Sequence, residues 1–336
     1  NTTGADNTGI GYQTLVLNTT GTGNTAVGYS SLDANTTADN NTAFGKEALT
    51  ANTTGASNTA LGKGSLASNT TAANNTAIGL SALLLNTTGA SNVAVGYQAL
   101  DANSTASNNT AVGAEALGAN TTGTRNNGFG AISLTTNSTG SYNNALGYGA
   151  LYSATTADHN TAMGDTTLYA TTTGAHNTGL GSAALRFNTT GASNTAVGSS
   201  ALYANTTGAY NVAVGTDALD ANVDTSNNTA IGYAALGANT AHNNTAVGYA
   251  ALNVSTTGAS NVAVGGRALL ANTTADNNTA LGYQALTTNT TGASNVAVGM
   301  NALLANTTAA NNTAVGYSAL TLNSTGSENT GVGKQA

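Results

Sequence analysis

The residues of this sequence that could bind a metal or transfer a proton are few. There are three histidines, His159, His176 and His242, and Asp158 directly precedes the first of them. His159 and His176 are separated by the interval at which the whole sequence repeats, so stacked copies of the repeat would bring them together as a two-histidine metal site. Zinc sites need three or four protein ligands. Because no further ligand accompanies the pair, we interpret these histidines as exposed residues of variable turns.

The carboxylates form no arrangement that is typical of catalysis. Asp101 and Asp220 occupy one position of the sequence repeat described below, and Glu47 and Glu115 occupy another. No pair of acids recurs, and the sequence lacks the calcium-binding solenoid repeat, the EF-hand and the phosphate-binding loop. We therefore predict no catalytic residue, no metal site, no cofactor, and a protein that is not an enzyme.

Asn-Thr-Thr triplets match the acceptor pattern for N-glycosylation. Two interpretations remain open. Some of these asparagines carry glycans in a secreted protein, or Asn and Thr recur because their side chains suit a stacked turn with a ladder of amides. Glycans on every copy would collide if the copies were about 4.8 Å apart. The possible glycosylation sites are Asn18, Asn52, Asn86, Asn188 and Asn289.

Tyrosines recur at one position of the repeat and predict an outward-facing, interrupted aromatic stripe. Such a stripe could bind a glycan or another fibre, although tyrosine is also an ordinary residue on a wet strand face. The members of this tyrosine stripe are Tyr12, Tyr29, Tyr97, Tyr148, Tyr233, Tyr249, Tyr283 and Tyr317.

The element that must position all of these residues is a 17-residue repeat. An asparagine opens each of twenty copies, from Asn7 to Asn329. Every step between openings has the same length except the one from Asn228 to Asn244, where the turn near Ala241 is one residue shorter. A period this regular is the signature of a stacked repeat architecture.

Aligned copies define 17 columns with the consensus N-T-A-V-G-Y-x-A-L-x-A-N-T-T-G-A-S. Column 1 is always Asn, column 4 always apolar, column 5 always Gly, and column 9 always Leu, from Leu15 to Leu320. We expect the apolar columns 4 and 9 to face inward, on two short strands that begin at columns 2 and 9. Glycine at column 5 and Asn-Thr-Thr-Gly at columns 12 to 15 are expected to form the turns between them.

Composition excludes several classes of protein. Only 6% of the 336 residues are charged and the net charge is −7, so nucleic-acid binding is unfavourable. No run of about 18 apolar residues could insert into a membrane. The chain has no Cys and therefore no disulfide or thiolate metal site. Frequent Gly, Thr, Val and Asn disfavour helix.

These observations predict an all-β fold, a parallel β-solenoid or β-roll with one 17-residue coil per repeat and about twenty coils. At a strand spacing of about 4.8 Å the array would be on the order of 95 Å long. We expect residues 1–336 to form a single continuous array, an uncapped segment of a longer fibre. The structural ladder would stack Leu83, Leu100 and Leu117, and likewise Val95 and Val112, Gly96 and Gly113, and Asn92 and Asn109.

One such coil has a thin core, because a buried Leu and a buried Val contribute only about 2 kcal/mol each against about 1–2 kcal/mol per residue of backbone ordering. The small residues of columns 3 and 5 would form a line that another backbone could approach closely. We therefore expect self-association, with chains side by side in a homo-oligomer or filament.

The V-A-V-G phrase at residues 93–96 and 212–215 resembles the head repeats of trimeric autotransporter adhesins, the YadA-like head. The longer NTAVGYxAL and NTTG phrases are similar to repeats of bacterial surface and phage tail-fibre proteins. The resemblance covers the whole chain. It implies a β-roll in which three chains pack together, and an extracellular or cell-surface location.

Three functions remain as expectations. The first is a structural extracellular filament or adhesin shaft that mediates attachment. The second is a tail fibre that binds a receptor or glycan through the tyrosine stripe and the variable turns. The third is an ice-binding solenoid, for which Asn at column 12 and Thr at column 14 would supply a regular exposed N-x-T rank.

Overall fold

A computed structural model describes residues 2–336 and contains twenty β-strands of three residues each. No α-helix occurs among these residues. Their contacts divide the chain into two compact units, Asn1–Thr173 and Gly174–Ala336, and each unit contains ten strands.

The strands of the first unit each cover columns 2 to 4 of one repeat. They are β1 (Thr8–Ile10), β2 (Thr25–Val27), β3 (Thr42–Phe44), β4 (Thr59–Leu61), β5 (Thr76–Ile78), β6 (Val93–Val95), β7 (Thr110–Val112), β8 (Asn127–Phe129), β9 (Asn144–Leu146) and β10 (Thr161–Met163).

The second unit repeats this arrangement. Its strands are β11 (Thr178–Leu180), β12 (Thr195–Val197), β13 (Val212–Val214), β14 (Thr229–Ile231), β15 (Thr245–Val247), β16 (Val262–Val264), β17 (Thr279–Leu281), β18 (Val296–Val298), β19 (Thr313–Val315) and β20 (Thr330–Val332).

Within each unit, every strand pairs in parallel with the equivalent strand of the next coil. Between β6 and β7, for example, Ala94 is opposite Ala111 and Val95 is opposite Val112. The 16-residue step keeps this register, because Thr229 is opposite Thr245 and the shortening is confined to the turn. The prediction of a parallel β-solenoid with one sequence repeat per coil is confirmed; the structure has about 19 coils.

The second strand expected at columns 9 to 13 is absent from the described residues, and that prediction was wrong. Two consecutive turns replace it. The amide of Ala99 donates to the carbonyl of Gly96 (3.4 Å), and the amide of Asn103 donates to the carbonyl of Leu100 (3.1 Å). The chain therefore bends twice within eight residues, and the coil that it closes has a narrow interior.

These turns use left-handed backbone at residues other than glycine. In the coil that contains β6, φ is 50° at Gln98, 51° at Leu100 and 64° at Asn108, and the same three columns repeat this conformation along the chain. A left-handed residue with a side chain costs roughly 1–2 kcal/mol. Leucine accepts this conformation at column 9 because it points the side chain into the coil, where Leu83, Leu100 and Leu117 are completely buried.

The apolar residues of column 4 face outward, which corrects the expectation that they form the core. Side chains alternate along a strand, and the one that points inward is column 3: Ala94 and Ala111 are fully buried. Val95 and Val112 are neighbours in the ladder, as expected, but their side chains lie on the outer surface. The interior already holds Leu100 and has room for only a methyl group opposite it.

Glycine at column 5 packs closely against the backbone of the next coil. A Cβ atom on Gly96 would lie 2.4 Å from the carbonyl oxygen of Gly113, and φ at Gly96 is 141°. Only glycine adopts such a backbone readily. Column 3 is buried inside the coil, so its small side chains are not available to a second backbone, whereas Gly96 at column 5 is half-buried.

Two ladders of buried asparagines complete the interior. At column 1, the backbone N–H of Asn109 donates to the side-chain Oδ1 of Asn92 (2.9 Å). At column 12, Nδ2 of Asn103 donates to Oδ1 of Asn86 (2.8 Å). The side chains of Asn92 and Asn103 both donate to the carbonyl oxygen of Ala106, at 2.9 and 3.0 Å. Burial of a polar group is tolerated when its hydrogen bonds are made, so these amides fill the space that apolar side chains occupy in most cores.

The column 12 ladder is interrupted where its asparagine is replaced. Ala154 and Thr171 stand at column 12 after Asn137, and Oδ1 of Asn137 is buried without a hydrogen-bond partner. Breaks of this kind identify the coils in which the amide ladder contributes least.

Among residues 2–336, there is no helix of the length and hydrophobicity required to cross a bilayer.

Candidate functional surfaces

The histidines lie in turns, and His159 and His242 contact neighbouring coils. The ring of His159 stacks on Tyr142 with centroids 4.7 Å apart, and Nδ1 of His242 accepts a hydrogen bond from the amide of Ser226 (3.0 Å). Asp158 accepts one from the amide of Ser141 (2.6 Å). Within residues 2–336, no three His, Cys, Asp or Glu side chains are grouped as a metal would require. The arrangement supports the interpretation of these residues as parts of turns.

Polar side chains at column 16 have a role that sequence reasoning missed. Oδ1 of Asp39 accepts from the amide of Thr22 (2.7 Å), and Oγ of Ser107 accepts from the amide of Ala90 (3.0 Å). Each such side chain binds the equivalent backbone amide of the preceding coil. The recurrence of Asp and Ser at this column was the available signal, since both are common local hydrogen-bond acceptors in turns.

Two aspartates of column 10 have a pKa above the usual value for this side chain. Partial burial raises the pKa of Asp101, and the neighbouring carboxylate of Glu115 raises it further. Burial likewise raises the pKa of Asp220, with a contribution from Asp217. Asp101 and Glu115 line an open depression of about 300 Å³.

The asparagines of the glycosylation pattern are inside the coil. Asn18 is 1% exposed, and Asn52, Asn86, Asn188 and Asn289 are fully buried. In Asn52, for example, Nδ2 donates to Oδ1 of Asn35 and to the carbonyl of Gly55. A glycan is attached through this nitrogen, so the folded coil offers it no access. This burial argues against glycosylation and favours the alternative of a stacked amide ladder. It also leaves column 12 unable to form the exposed N-x-T rank of an ice-binding face.

The tyrosine stripe is on the surface, as expected. All eight members are exposed: Tyr12, Tyr29, Tyr97, Tyr148, Tyr233, Tyr249, Tyr283 and Tyr317. Part of the stripe is self-stacked, because the rings of Tyr12 and Tyr29 lie 5.5 Å apart and nearly parallel. The ammonium groups of Lys46 and Lys334 lie over Tyr29 and Tyr317, 5.5 and 5.9 Å from the ring centroids.

Outside that stripe, the structure shows further aromatic contacts that were not expected from sequence. Tyr152 and Tyr169, at column 10 of consecutive coils, stack with centroids 4.9 Å apart. Tyr142, at column 17, lies between His159 and the guanidinium of Arg125, which is 5.2 Å from its ring centroid. The sequence signal that could have revealed these two contacts is the separation of their residues by one repeat.

The most extensive unusual surface is the outer face of the strands, here called the strand face and formed by columns 2 and 4. Column 4 is apolar in all twenty coils, column 2 is Thr, Val or Asn, and neither column has a charged residue. The large apolar side chains that are clearly exposed at column 4 are Ile10, Phe44, Leu61, Phe129, Leu146, Met163, Ile231, Leu281, Val315 and Val332.

Comparisons with known proteins add no relative. No protein-family model matches the chain, and no characterised protein matches it. The class of protein is therefore defined by the fold, a parallel β-solenoid repeat protein, and the resemblance to trimeric autotransporter heads stays a prediction.

Proposed function

We propose that this chain is a structural segment of an extracellular or cell-surface filament, an adhesin shaft, whose copies associate side by side through the strand face. The observation that carries the proposal is the uninterrupted apolar and uncharged character of column 4. Soluble monomers rarely expose an apolar patch larger than about 300–600 Å².

The size of the strand face supports association. Burying a medium-sized aliphatic side chain contributes about 1.5 kcal/mol, equivalent to roughly 60 Å² at about 25 cal/mol/Å². Ten such residues would bury at most about 600 Å², against the roughly 800 Å² per partner of a standard protein interface. Column 4 side chains that the coil already covers in part, such as Val95 and Val112, contribute less than the clearly exposed ones.

The periodicity of the face favours a second copy of this chain as its partner. Apolar side chains recur once per coil in the parallel ladder, and a second copy presents the same interval along its whole length. A depression of about 200 Å³ between Phe129, Leu146 and Met163 could receive an apolar side chain of that copy. Three chains are favoured, as the resemblance to trimeric heads implies.

A charge on the strand face tests this proposal. The double variant Val95→Lys, Val214→Lys places one lysine on the strand face of each unit, and the matched control is Ala114→Lys at column 6, which already carries Lys46 and Lys63. We expect the native chain and the control to sediment as oligomers and to form elongated particles in electron micrographs. The double variant should retain its circular dichroism and sediment as a smaller species.

Two results would refute association through this face. One is a native chain that sediments as a monomer at micromolar concentration. The other is a double variant that assembles as well as the Ala114→Lys control.

A binding role is the second candidate, and the exposed tyrosines are the observation that favours it. Tyr97 and Tyr148 have no aromatic neighbour at column 6 of the adjacent coils, so their rings are not covered by another ring there. A sugar can stack on an aromatic face of this kind. Replacing both by alanine should then abolish retention on a glycan array without changing the oligomeric state. A native chain that binds no glycan would eliminate this role.

A further inference from the structure

Among residues 2–336, three pairs of tyrosines lie directly above one another on consecutive coils. Their rings are nearly parallel, with interplanar angles of 5° to 17° and centroid separations of 4.9 to 5.7 Å. The pairs are Tyr12 with Tyr29, Tyr152 with Tyr169, and Tyr233 with Tyr249.

We propose that these pairs are sites of oxidative modification, at which a dityrosine bond joins one coil to the next. The oxidant is hydrogen peroxide acting through a haem peroxidase. Each phenol loses one electron and one proton and becomes a phenoxyl radical. The two radicals join through ring carbons ortho to the hydroxyls, and each ring then moves the displaced hydrogen to its oxygen. The two tyrosines lose two hydrogen atoms in total, and one peroxide is reduced to two waters.

The coil geometry supplies the proximity that this coupling requires. Two reacting groups held together react with a high effective concentration, and the ladder holds each pair of rings within 5.7 Å. Tyr12, Tyr29, Tyr233 and Tyr249 are exposed, so a soluble oxidant reaches them and their side chains can slide from face-to-face to edge-to-edge contact.

The composition of the chain directs oxidation to these residues. The sequence has 13 tyrosines but no Cys and no Trp, the side chains that would otherwise supply electrons most readily. Met163 and Met300 are the only methionines, and their oxidation gives sulfoxide without a cross-link.

The consequence of the bond is a covalent connection between neighbouring coils. In a repeat protein each unit is stabilised by its neighbours, and unfolding spreads from coil to coil. A link across one coil interface should stop that spread. It depends only on the coil geometry and not on association of chains, so it stands apart from the proposed filament.

The chain contains matched pairs that should not react. Tyr203 lies against Phe187, edge to face at 5.0 Å, and phenylalanine forms no phenoxyl radical. Tyr142 stacks on His159, which cannot form dityrosine. These contacts have comparable ring separation but lack a second phenol.

The test is peroxidase oxidation of the full folded chain, followed by digestion with a protease of broad specificity and mass mapping of linked peptides. We expect dityrosine fluorescence, a loss of two hydrogens per link, and links confined to the three stacked pairs. Tyr152→Phe should remove the link to Tyr169 and leave the other two, whereas Tyr203→Phe should remove none. The oxidised native chain should unfold at a higher denaturant concentration than the untreated chain.

Three results would overturn the proposal. The first is no dityrosine after oxidation of the folded chain. The second is a distribution of links over unstacked tyrosines such as Tyr97 and Tyr283, equal to that of the urea-unfolded chain. The third is cross-linking only between different chains, seen as covalent dimers without linked peptides from adjacent coils.

Discussion

Exchanging one buried ladder asparagine for its isosteric acid would convert a hydrogen-bond donor into an acceptor inside the coil. Nδ2 of Asn103 donates to Oδ1 of Asn86 (2.8 Å) and to the carbonyl of Ala106 (3.0 Å), and its own Oδ1 accepts from Nδ2 of Asn120 (3.0 Å). Asn103→Asp keeps the shape and the acceptor. It loses both donors, so an ionised carboxylate would face two oxygen atoms.

The magnitude follows from this geometry. Leaving a buried charge uncompensated costs about 3–5 kcal/mol, which corresponds to raising the pKa of the introduced acid by roughly 2 to 4 units at about 1.4 kcal/mol per unit. Protonation restores one of the two lost donors. The folded state therefore binds its proton more tightly than the unfolded state, and stability falls as the pH rises above the unfolded pKa of about 4.

The assay is denaturant unfolding of Asn103→Asp between about pH 4 and pH 8, with Asn108→Asp as control. Asn108 is in the same coil but exposed, and its column already accommodates Asp6 and Glu328. We expect Asn103→Asp to be about 1 kcal/mol less stable than the control at about pH 4, where one of its two donors is still missing, and the difference to grow by about 3 kcal/mol or more at neutral pH. Because a repeat array can open locally, hydrogen exchange of residues 86–120 should show the same loss. Equal pH dependence in both variants would refute the account of the amide ladder.

Two further changes test the glycine packing and the acids of column 10. Gly96→Ala would place a Cβ atom 2.4 Å from the carbonyl oxygen of Gly113 at a φ of 141°, and we expect a loss of about 3 kcal/mol or more in unfolding free energy. Gly64→Ala, whose Cβ would have no atom nearer than 3.6 Å, should cost about 1 kcal/mol, and equal losses would contradict the packing argument. The pKa of Asp101 is raised by burial and then by Glu115, so the stability that its proton contributes is present below about pH 4 and is lost as the pH rises. Asp101→Asn should therefore reduce the fall in stability above about pH 4, and an unchanged pH profile would contradict this.

The period and the invariant columns were enough to predict the coil and its ladder. A leucine at every seventeenth position has one simple solution, in which Leu83, Leu100 and Leu117 stack in a parallel array. The freely varying residues of column 6 were correctly expected on the surface. Both conclusions depend only on how the copies align with one another. The repeat specifies this alignment almost completely, because its length changes by one residue at only one step.

The tertiary structure decided which residues of each coil face inward, and it reversed part of the expected pattern. Alternation along a strand says that columns 2 and 4 share one face but does not say which face is buried. That choice depends on the cross-section of the closed coil, which holds one leucine, small side chains and two amides whose donors reach the carbonyl of Ala106 or its equivalent. The buried asparagines of neighbouring coils make hydrogen bonds to one another within each ladder. Polar side chains can therefore fill the interior, and Val95 and its equivalents lie on the outer surface.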